Sequence, residues 1–380
     1  GGPVTLEISY QTPAGALRAK PSFLTCVPLA PGGGGQQCTV QPPAGTNDLA
    51  VMTVDALDDE GDRAGSRQFL VGASPYKYVA LGDSYSAGEG IDPYFRDGYK
   101  VDKKGRASQP GDVDNRCHRS TRAYAEQVKP PGYQSPLYAL ASQGSPGTGN
   151  RVNKYGSDQN VRQRGNVAWA FLACSGATTT NVLPGALGGQ PQSTRDGYRE
   201  LRSQLDYPTV DFATDLVTIT IGGNDAGFVD VLKKCASGSC NTPEQEAKLR
   251  ATITALQPKL AMVYQQIKSR TFNARVIVLG YPMLFPENAR DQFCSGDHQM
   301  FAGEQDFLRR MGSELDAATA STAATEGVQY EYVSDEFAGH EICTSQPWIN
   351  GLASTRRGNF VDDESFHPNQ VGQQQYAAIV

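Results

Sequence analysis

The 380-residue chain lacks any apolar run near the ~20 residues that a membrane-crossing helix needs; Val167 to Cys174 and Val276 to Gly280 stop far short. It also lacks a basic excess. Lys plus Arg total 34 against 40 Asp plus Glu, a net charge of −6, so nucleic acid is not an expected partner. Histidine is scarce, with four in all, and no dense Cys/His cluster exists to hold a metal. The nearest approach, Cys235 and Cys240 around an ASGS tetrapeptide, is followed by no second ligand pair. Neither metal nor cofactor is expected, and there are no internal repeats. What the chain has in quantity is glycine, 41, and proline, 23, a loop-rich but globular balance beside 39% hydrophobic residues.

Eight cysteines, Cys26, Cys38, Cys117, Cys174, Cys235, Cys240, Cys294 and Cys343, form an even set. Without a metal-type cluster they read as disulfides, and the expected location is extracellular. Pairing each with its neighbour in sequence would close mostly short loops, but spacing does not choose among connectivities. No charged-apolar leader stands ahead of Gly1, so export is inferred from the cysteines alone.

From Val4 to about Ala73, short alternating segments (VTLEISY, SFLTCVPL, LAVMTVDAL, RQFLVG) are separated by turn clusters such as PGGGGQQ. They predict a small all-β module over residues 1–74. Its stretch VDALDDEGDRAGSRQFLVG looks like the last hairpin of an immunoglobulin-like sandwich, although seventy residues are few for a complete one. Ser74 and Pro75 mark the boundary. Over residues 75–380, apolar strands alternate with long helical patterns, the signature of an α/β parallel sheet covered on both faces. Five strands are expected, at Lys77–Leu81, Asn166–Ala173, Leu216–Ile221, Arg275–Leu279 and Val328–Val333. A long helix should start at Thr242, with Pro243 in its first turn and a buried stripe of Leu249, Ile253, Leu256, Leu260, Val263 and Ile267. A shorter helix is expected near Ser120 to Val128, and a closing helix beginning with Pro368.

The first of these strands runs into Gly82-Asp83-Ser84, which delivers a hydroxyl at a strand's carboxyl end, where open α/β sheets bind ligands. The second ends in Ser175-Gly176-Ala177 and the third in Gly222-Gly223-Asn224-Asp225. The N–H groups of Ser84 and Gly176 and the Asn224 carboxamide are the donor types that fix a tetrahedral oxyanion. His367, in the run ESFHPN before the closing helix, is the candidate base, because an imidazole with a pKa of ~6.5 can take a serine proton near neutrality. His118 and His340 lie close to cysteines and read as structural or crevice-lining; His298 carries no signal. Loops 92–160 and 285–307 are the expected walls of a substrate pocket.

Gly-Asp-Ser early in an α/β domain, then a Gly, then Gly-x-Asn-Asp, then a late His, resembles the SGNH hydrolases, also called GDSL esterases and lipases. The runs GDSYSAGEG, CHRS, ACSGA and SFHPNQVGQQQYA look like the secreted actinobacterial members. The resemblance spans roughly residues 76–380. It implies a three-layer αβα, flavodoxin-like domain, with Ser84 as nucleophile, Gly176 and Asn224 completing the oxyanion hole, and His367 as base. It also implies three sequential disulfides from Cys117 to Cys343. Tyr85 stands where the family name has leucine, and Glu364 where the family usually carries an aspartate. Either the Glu364 carboxylate, with Asp362 and Asp363 just upstream, or a backbone carbonyl of that loop orients His367. The implied activity is a serine ester hydrolase acting on a lipid, an acylated glycan or a small ester. A carbohydrate O-acetyl esterase is one alternative; an adhesion protein with a vestigial hydrolase domain is another. The β module is expected to contact the catalytic domain or an extracellular partner.

Overall fold

The structure is a computed structural model. It describes residues 5–12, 15–17, 24–28, 36–40, 50–57, 60, 62–71, 76–95, 117–140, 161–164, 167–193, 200, 202–207, 209–236, 240–271, 273–287, 292–295, 298–352 and 364–380. Two compact units divide the chain, Gly1–Pro75 with Asp211–Ala213, and Tyr76–Val210 with Thr214–Val380. The first holds β1 (Thr5–Thr12), β2 (Gly15–Leu17), β3 (Leu24–Pro28), β4 (Gln36–Val40), β5 (Ala50–Leu57) and β6 (Arg63–Val71). Four of them form an antiparallel sheet in the order β2-β1-β5-β6, and β3 pairs with β4. That second pairing sets Cys26 opposite Cys38.

The second unit is built on β7 (Tyr76–Gly82), β8 (Val161–Arg164), β9 (Val167–Phe171), β10 (Leu216–Thr220), β11 (Arg275–Leu279) and β14 (Gln329–Glu331), in the order β14-β11-β10-β7-β9-β8. Five strands run parallel; the sixth, β8, is an antiparallel edge on β9 that the sequence did not announce. Numbered along the chain, the parallel strands lie 2-1-3-4-5, the flavodoxin-like order, and this reverses direction beside β7. Strand β7 therefore ends at the crevice between two oppositely directed sets of connections. A separate hairpin joins β12 (Gln292–Ser295) and β13 (His298–Met300).

All five positions of β10 are buried, so helices must cover both faces of the sheet. On one face, the Thr218 hydroxyl accepts from the Tyr124 hydroxyl at 3.0 Å and meets the Tyr78 hydroxyl at 2.8 Å, and the Thr220 hydroxyl meets that of Ser86 at 2.8 Å. Helices α1 (Ser84–Ala87), α2 (Tyr124–Gln127) and α8 (Gln370–Ile379) pack together there, with Tyr124 stacked on Tyr376. Connections also carry α3 (Thr179–Val182), α4 (Phe228–Ala236) and α7 (Val333–Glu336). The paired helices α5 (Pro243–Arg270) and α6 (Ala302–Glu326) supply the opposite layer. Helix α5 begins as expected: Thr242 accepts from the Gln245 N–H, Pro243 occupies the first turn, and the six-residue stripe is buried. Two helices differ from expectation. The shorter one spans only Tyr124–Gln127, because Val128 turns extended. The closing helix starts at Gln370, since Asn369 accepts the N–H groups of Val371 and Gly372 and so caps it after Pro368. Among the described residues, no helix is long and apolar enough to cross a membrane.

The turn after β7 is fixed by backbone fit. Gly82 has φ +122°, and a Cβ there would lie 2.4 Å from the Thr220 carbonyl oxygen. Its N–H and C=O are both engaged at 2.8 Å by the Gln204 carboxamide. Asp83 follows, buried, accepting from the Thr220 hydroxyl at 2.6 Å, the Tyr85 N–H at 3.1 Å and the Tyr281 hydroxyl. Gly82→Ala combines forbidden φ with a backbone clash, and should cost at least about 2 kcal/mol in urea unfolding. A loss under about 0.5 kcal/mol would contradict this account of the turn.

Burial pushes the Asp83 carboxyl up to about 6, against the opposing hydrogen bonds from Thr220, Tyr281 and the Tyr85 N–H. The folded state thus binds this proton more tightly than the unfolded chain. The residue's share of stability is full below about pH 4 and is lost as pH rises through 6. That loss should be roughly 2–3 kcal/mol between pH 4 and 7.5. Unfolding free energies measured across that range should fall less steeply in Asp83→Asn; an unchanged slope would count against the assignment.

Candidate active site

Because its five long strands are parallel, the sheet gathers the turns after β7, β9, β10 and β11 at one edge. Ser84 opens α1 at the first of them and is 8% exposed. Its Oγ lies 2.8 Å from Nε2 of His367, 283 positions away. His367 is held by strand-like pairing of its own loop: Asn350 N–H donates to the His367 carbonyl at 2.8 Å, Phe366 N–H donates to the Asn350 carbonyl at 3.0 Å, and Ile349 bridges Pro368. Phe366 itself adopts a left-handed φ of 67°.

Gly176, with φ 75°, follows β9. The turn there is tied down by the Cys117–Cys174 disulfide, by the Ser175 N–H on the Cys117 carbonyl at 3.0 Å, and by buried Arg119, which donates to the Ala173 carbonyl at 3.1 Å and to Glu200 at 2.8 Å. After β10, Gly222 at φ 115° turns the chain into Gly223 and Asn224. One N–H of the Asn224 carboxamide is spent on the Ala177 carbonyl at 2.9 Å, which orients the group and leaves its second donor for a ligand. Asp225 next to it accepts from the Thr179 N–H and hydroxyl at 2.8 and 2.6 Å, fixing the start of α3.

Ser84, Gly176, Asn224 and His367 line one cavity of about 340 Å³. Its remaining wall is mostly apolar: Phe228, Val229 and Leu232 from α4, Leu308 and Leu315 from α6, and the segment Tyr281 to Leu284. Among the described residues these helices form the wall; of the expected loops, residues 96–116, 141–160, 288–291 and 296–297 lie outside the described residues. Tyr281 is a further residue without a sequence signal. Its hydroxyl reaches Asp83 and accepts the Gly223 N–H at 3.0 Å.

Beside the imidazole lies a second ionisable pair. Glu89, 2% exposed, meets Nδ1 of His118 at 2.7 Å, and the His118 ring stacks on Tyr94. Burial alone would raise the Glu89 carboxyl, but the hydrogen bond and charge of His118, the charge of His367 and a hydrogen bond from Ser175 together hold it below its ordinary value. His118 thus belongs to the surroundings of the site. His340 instead stacks on Trp348 and donates Nδ1–H to the Gln346 carbonyl at 2.8 Å. The side chain of His298 lies outside the described residues.

Glu364 is exposed, and its carbonyl accepts the His367 N–H at 3.3 Å and the Asn350 side chain at 3.4 Å. Asp362 and Asp363 lie outside the described residues. Cys235 and Cys240 are bonded to each other and so present no thiolate pair to a metal. Cys343 is also disulfide-bonded, while the side chains of Cys26, Cys38 and Cys294 fall outside the described set.

The profile of the GDSL-like Lipase/Acylhydrolase family matches residues 80–375. A lipase of Streptomyces rimosus is 32% identical over 298 residues, covering 78% of this chain and 82% of the relative. Lipase 1 of Streptomyces coelicolor is 31% identical over 299 residues, with the same coverage of both chains. Among solved structures, the extracellular lipase of Streptomyces rimosus superimposes with a TM-score of 0.53 at 29% identity, over 80% of this chain and 97% of that one. Phospholipase A1 from Streptomyces albidoflavus gives 0.53 at 26% identity, over 80% and 98%. With strand order, strand-end motifs and sequence similarity in agreement, the chain belongs to the GDSL-like lipase/acylhydrolase family and is a carboxylic ester hydrolase of that type.

Proposed function

We propose that the enzyme is secreted and cleaves esters of acyl chains longer than acetyl through an acyl-enzyme on Ser84. The observation that carries this reading is the 2.8 Å contact of Ser84 Oγ with His367 Nε2 at an apolar cavity. His367 Nε2 accepts the serine proton as Oγ attacks the ester carbonyl, and the negative oxygen is met by the N–H groups of Ser84 and Gly176 and the spare N–H of Asn224. The imidazolium returns that proton to the leaving alcohol as the C–O bond breaks. Water, deprotonated by the same imidazole, then releases the acid and restores Ser84.

An acetyl group would leave most of a 340 Å³ cavity unfilled, which disfavours the carbohydrate O-acetyl esterase reading. The lipase and phospholipase A1 names of the relatives support an acyl-lipid substrate. The aligned hydroxyl and imidazole argue against a vestigial domain. Disulfides at Cys117–Cys174 and Cys235–Cys240 and the extracellular relative support secretion. Residues 1–74 are taken as an immunoglobulin-like module, supported by the two antiparallel sheets of four and two strands.

On p-nitrophenyl esters, kcat/KM should rise at least tenfold from acetate to octanoate, since each buried methylene contributes about 0.8 kcal/mol. Ser84→Ala should remove turnover with an unchanged far-ultraviolet dichroism spectrum. A flat or falling chain-length series would sink the acyl-pocket reading, and retained turnover in Ser84→Ala would sink the nucleophile.

A backbone carbonyl of the His367 loop is favoured over the Glu364 carboxylate as the orienter of His367, because Glu364 is exposed and its charge is screened by water. Glu364→Gln should then lose less than tenfold in kcat. A loss of several hundredfold would assign the carboxylate instead.

A further inference from the structure

Each of the three residues that precede Ser84, Asn224 and His367 is held by a tyrosine hydroxyl. Tyr281 donates its hydroxyl hydrogen to Asp83 and accepts the Gly223 N–H at 3.0 Å, so one oxygen spans the turns after β7 and β10. Tyr85 donates to the Phe366 carbonyl at 2.6 Å, so the residue directly after the nucleophile holds the residue directly before the base. The two rings meet edge-on with centroids 5.0 Å apart, and the Tyr85 ring lies 5.0 Å from the His367 ring. Gly223 fits against this arrangement closely: a Cβ there would lie 3.2 Å from the Tyr281 hydroxyl oxygen.

We propose that Tyr85 and Tyr281 are positioning residues that lock the nucleophile turn, the Asn224 turn and the His367 loop into one register. The inference rests on the roles given above to Ser84, Asn224 and His367. Neither hydroxyl is needed as a proton carrier, since the 2.8 Å contact already joins Ser84 to His367. Both act on geometry. Phe366 at φ 67° occupies a left-handed backbone that a bulky residue leaves readily unless its neighbours fix it. The Tyr85 hydrogen bond and the Asn350 pairing do so from two sides. The Tyr281 oxygen likewise sets the Gly223 peptide plane, and with it the direction in which Asn224 leaves the turn. A displacement of about 1 Å in such groups is enough to cost on the order of 100-fold in rate.

Position 85 is the place where the chain departs from the leucine of the family name. An aliphatic side chain could fill the space beside Tyr281 but could not donate to the Phe366 carbonyl. The structure therefore gives the departure a physical use in holding the base.

The test compares Tyr85→Phe and Tyr281→Phe with the parent enzyme, with kcat expressed per active site titrated by an alkyl phosphonate that labels serine. Each variant should lose tenfold to a hundredfold in kcat per titrated site, with KM within threefold and the ring packing preserved. A merely structural role would lower the melting temperature and the titratable fraction while leaving kcat per titrated site within twofold, and that result overturns the proposal. Should Tyr281→Phe fail to fold, Tyr85→Phe alone decides, because it keeps both ring contacts and removes one hydrogen bond. Failure of the underlying reading is separable: it would appear as turnover surviving in Ser84→Ala, whereas an inert Ser84→Ala beside fully active tyrosine variants rejects only this inference.

Discussion

A hydrogen bond between side chains 283 positions apart is the constraint around which the second unit is organised. Serine oxygen is a poor nucleophile unless a base lies within reach, so the proposed mechanism requires the hydroxyl at the end of β7 and the imidazole before α8 to be held from opposite ends of the domain. On the serine side, Gly82 permits the turn, Gln204 brackets its peptide, and Asp83 caps the helix that Ser84 begins. On the imidazole side, a short strand-like pairing with residues 349–350 precedes an α8 whose Gln373 donates to the Tyr85 carbonyl at 3.1 Å. Both ends of the contact are therefore fastened to the same core.

Electrostatics acts in the same direction. Glu89 and Asp83 are buried carboxyls near His367 and Ser84, and each has several donors facing it. The attraction between Glu89 and His367 helps hold the Glu89 carboxyl low, and on the proposed mechanism it would also stabilise the positive charge His367 gains with the serine proton. Asp83 differs in its balance. Burial outweighs its three donors, and its ionised form persists near neutrality only because Thr220, Tyr281 and the Tyr85 N–H oppose that cost. The tyrosine that holds Asp83 also holds Gly223, so the arrangement that keeps the charge buried is the one that aims the Asn224 turn.

What could be read in the sequence was local. Strand β11 was legible to the residue, and the buried stripe of α5 was complete, because a run of apolar residues or a four-and-three spacing is written in the segment itself. Ser84, Gly176 and Asn224 could be singled out because each follows an apolar strand, and His367 because it precedes the closing helix; the family resemblance joined them, and the structure lines one cavity with all four. Strand β8, VRQR, has no apolar run and exists because β9 offers it an edge. Helix α6 was missed because alanine and threonine make up much of its buried face, and its threonines return their hydroxyls to carbonyls one turn back. The roles of Tyr85, Tyr281 and Glu89 depend on partners up to 281 positions distant, and no single segment encodes them.

The polar groups of the cavity and most of its apolar wall come from different parts of the chain. Ser84, Gly176 and Asn224 sit at the ends of parallel strands and His367 in the loop before α8, while much of the apolar wall is supplied by α4 and α6, which lie outside the motifs. Helix α4 follows the Asn224 turn directly, and the Cys235–Cys240 disulfide ties its last turn to the residue two before the cap of α5. The wall is thus anchored at one end to the Asn224 turn and at the other to α5. Changes at the cavity-facing positions of α4 and α6 would reshape the proposed acyl pocket without touching Gly82, Asp83 or the His367 loop. On the proposed mechanism, substrate range can vary through α4 and α6, whereas Tyr281, which both lines the cavity and holds Asp83 and Gly223, ties its own part of the wall to the turns beside Ser84 and Asn224.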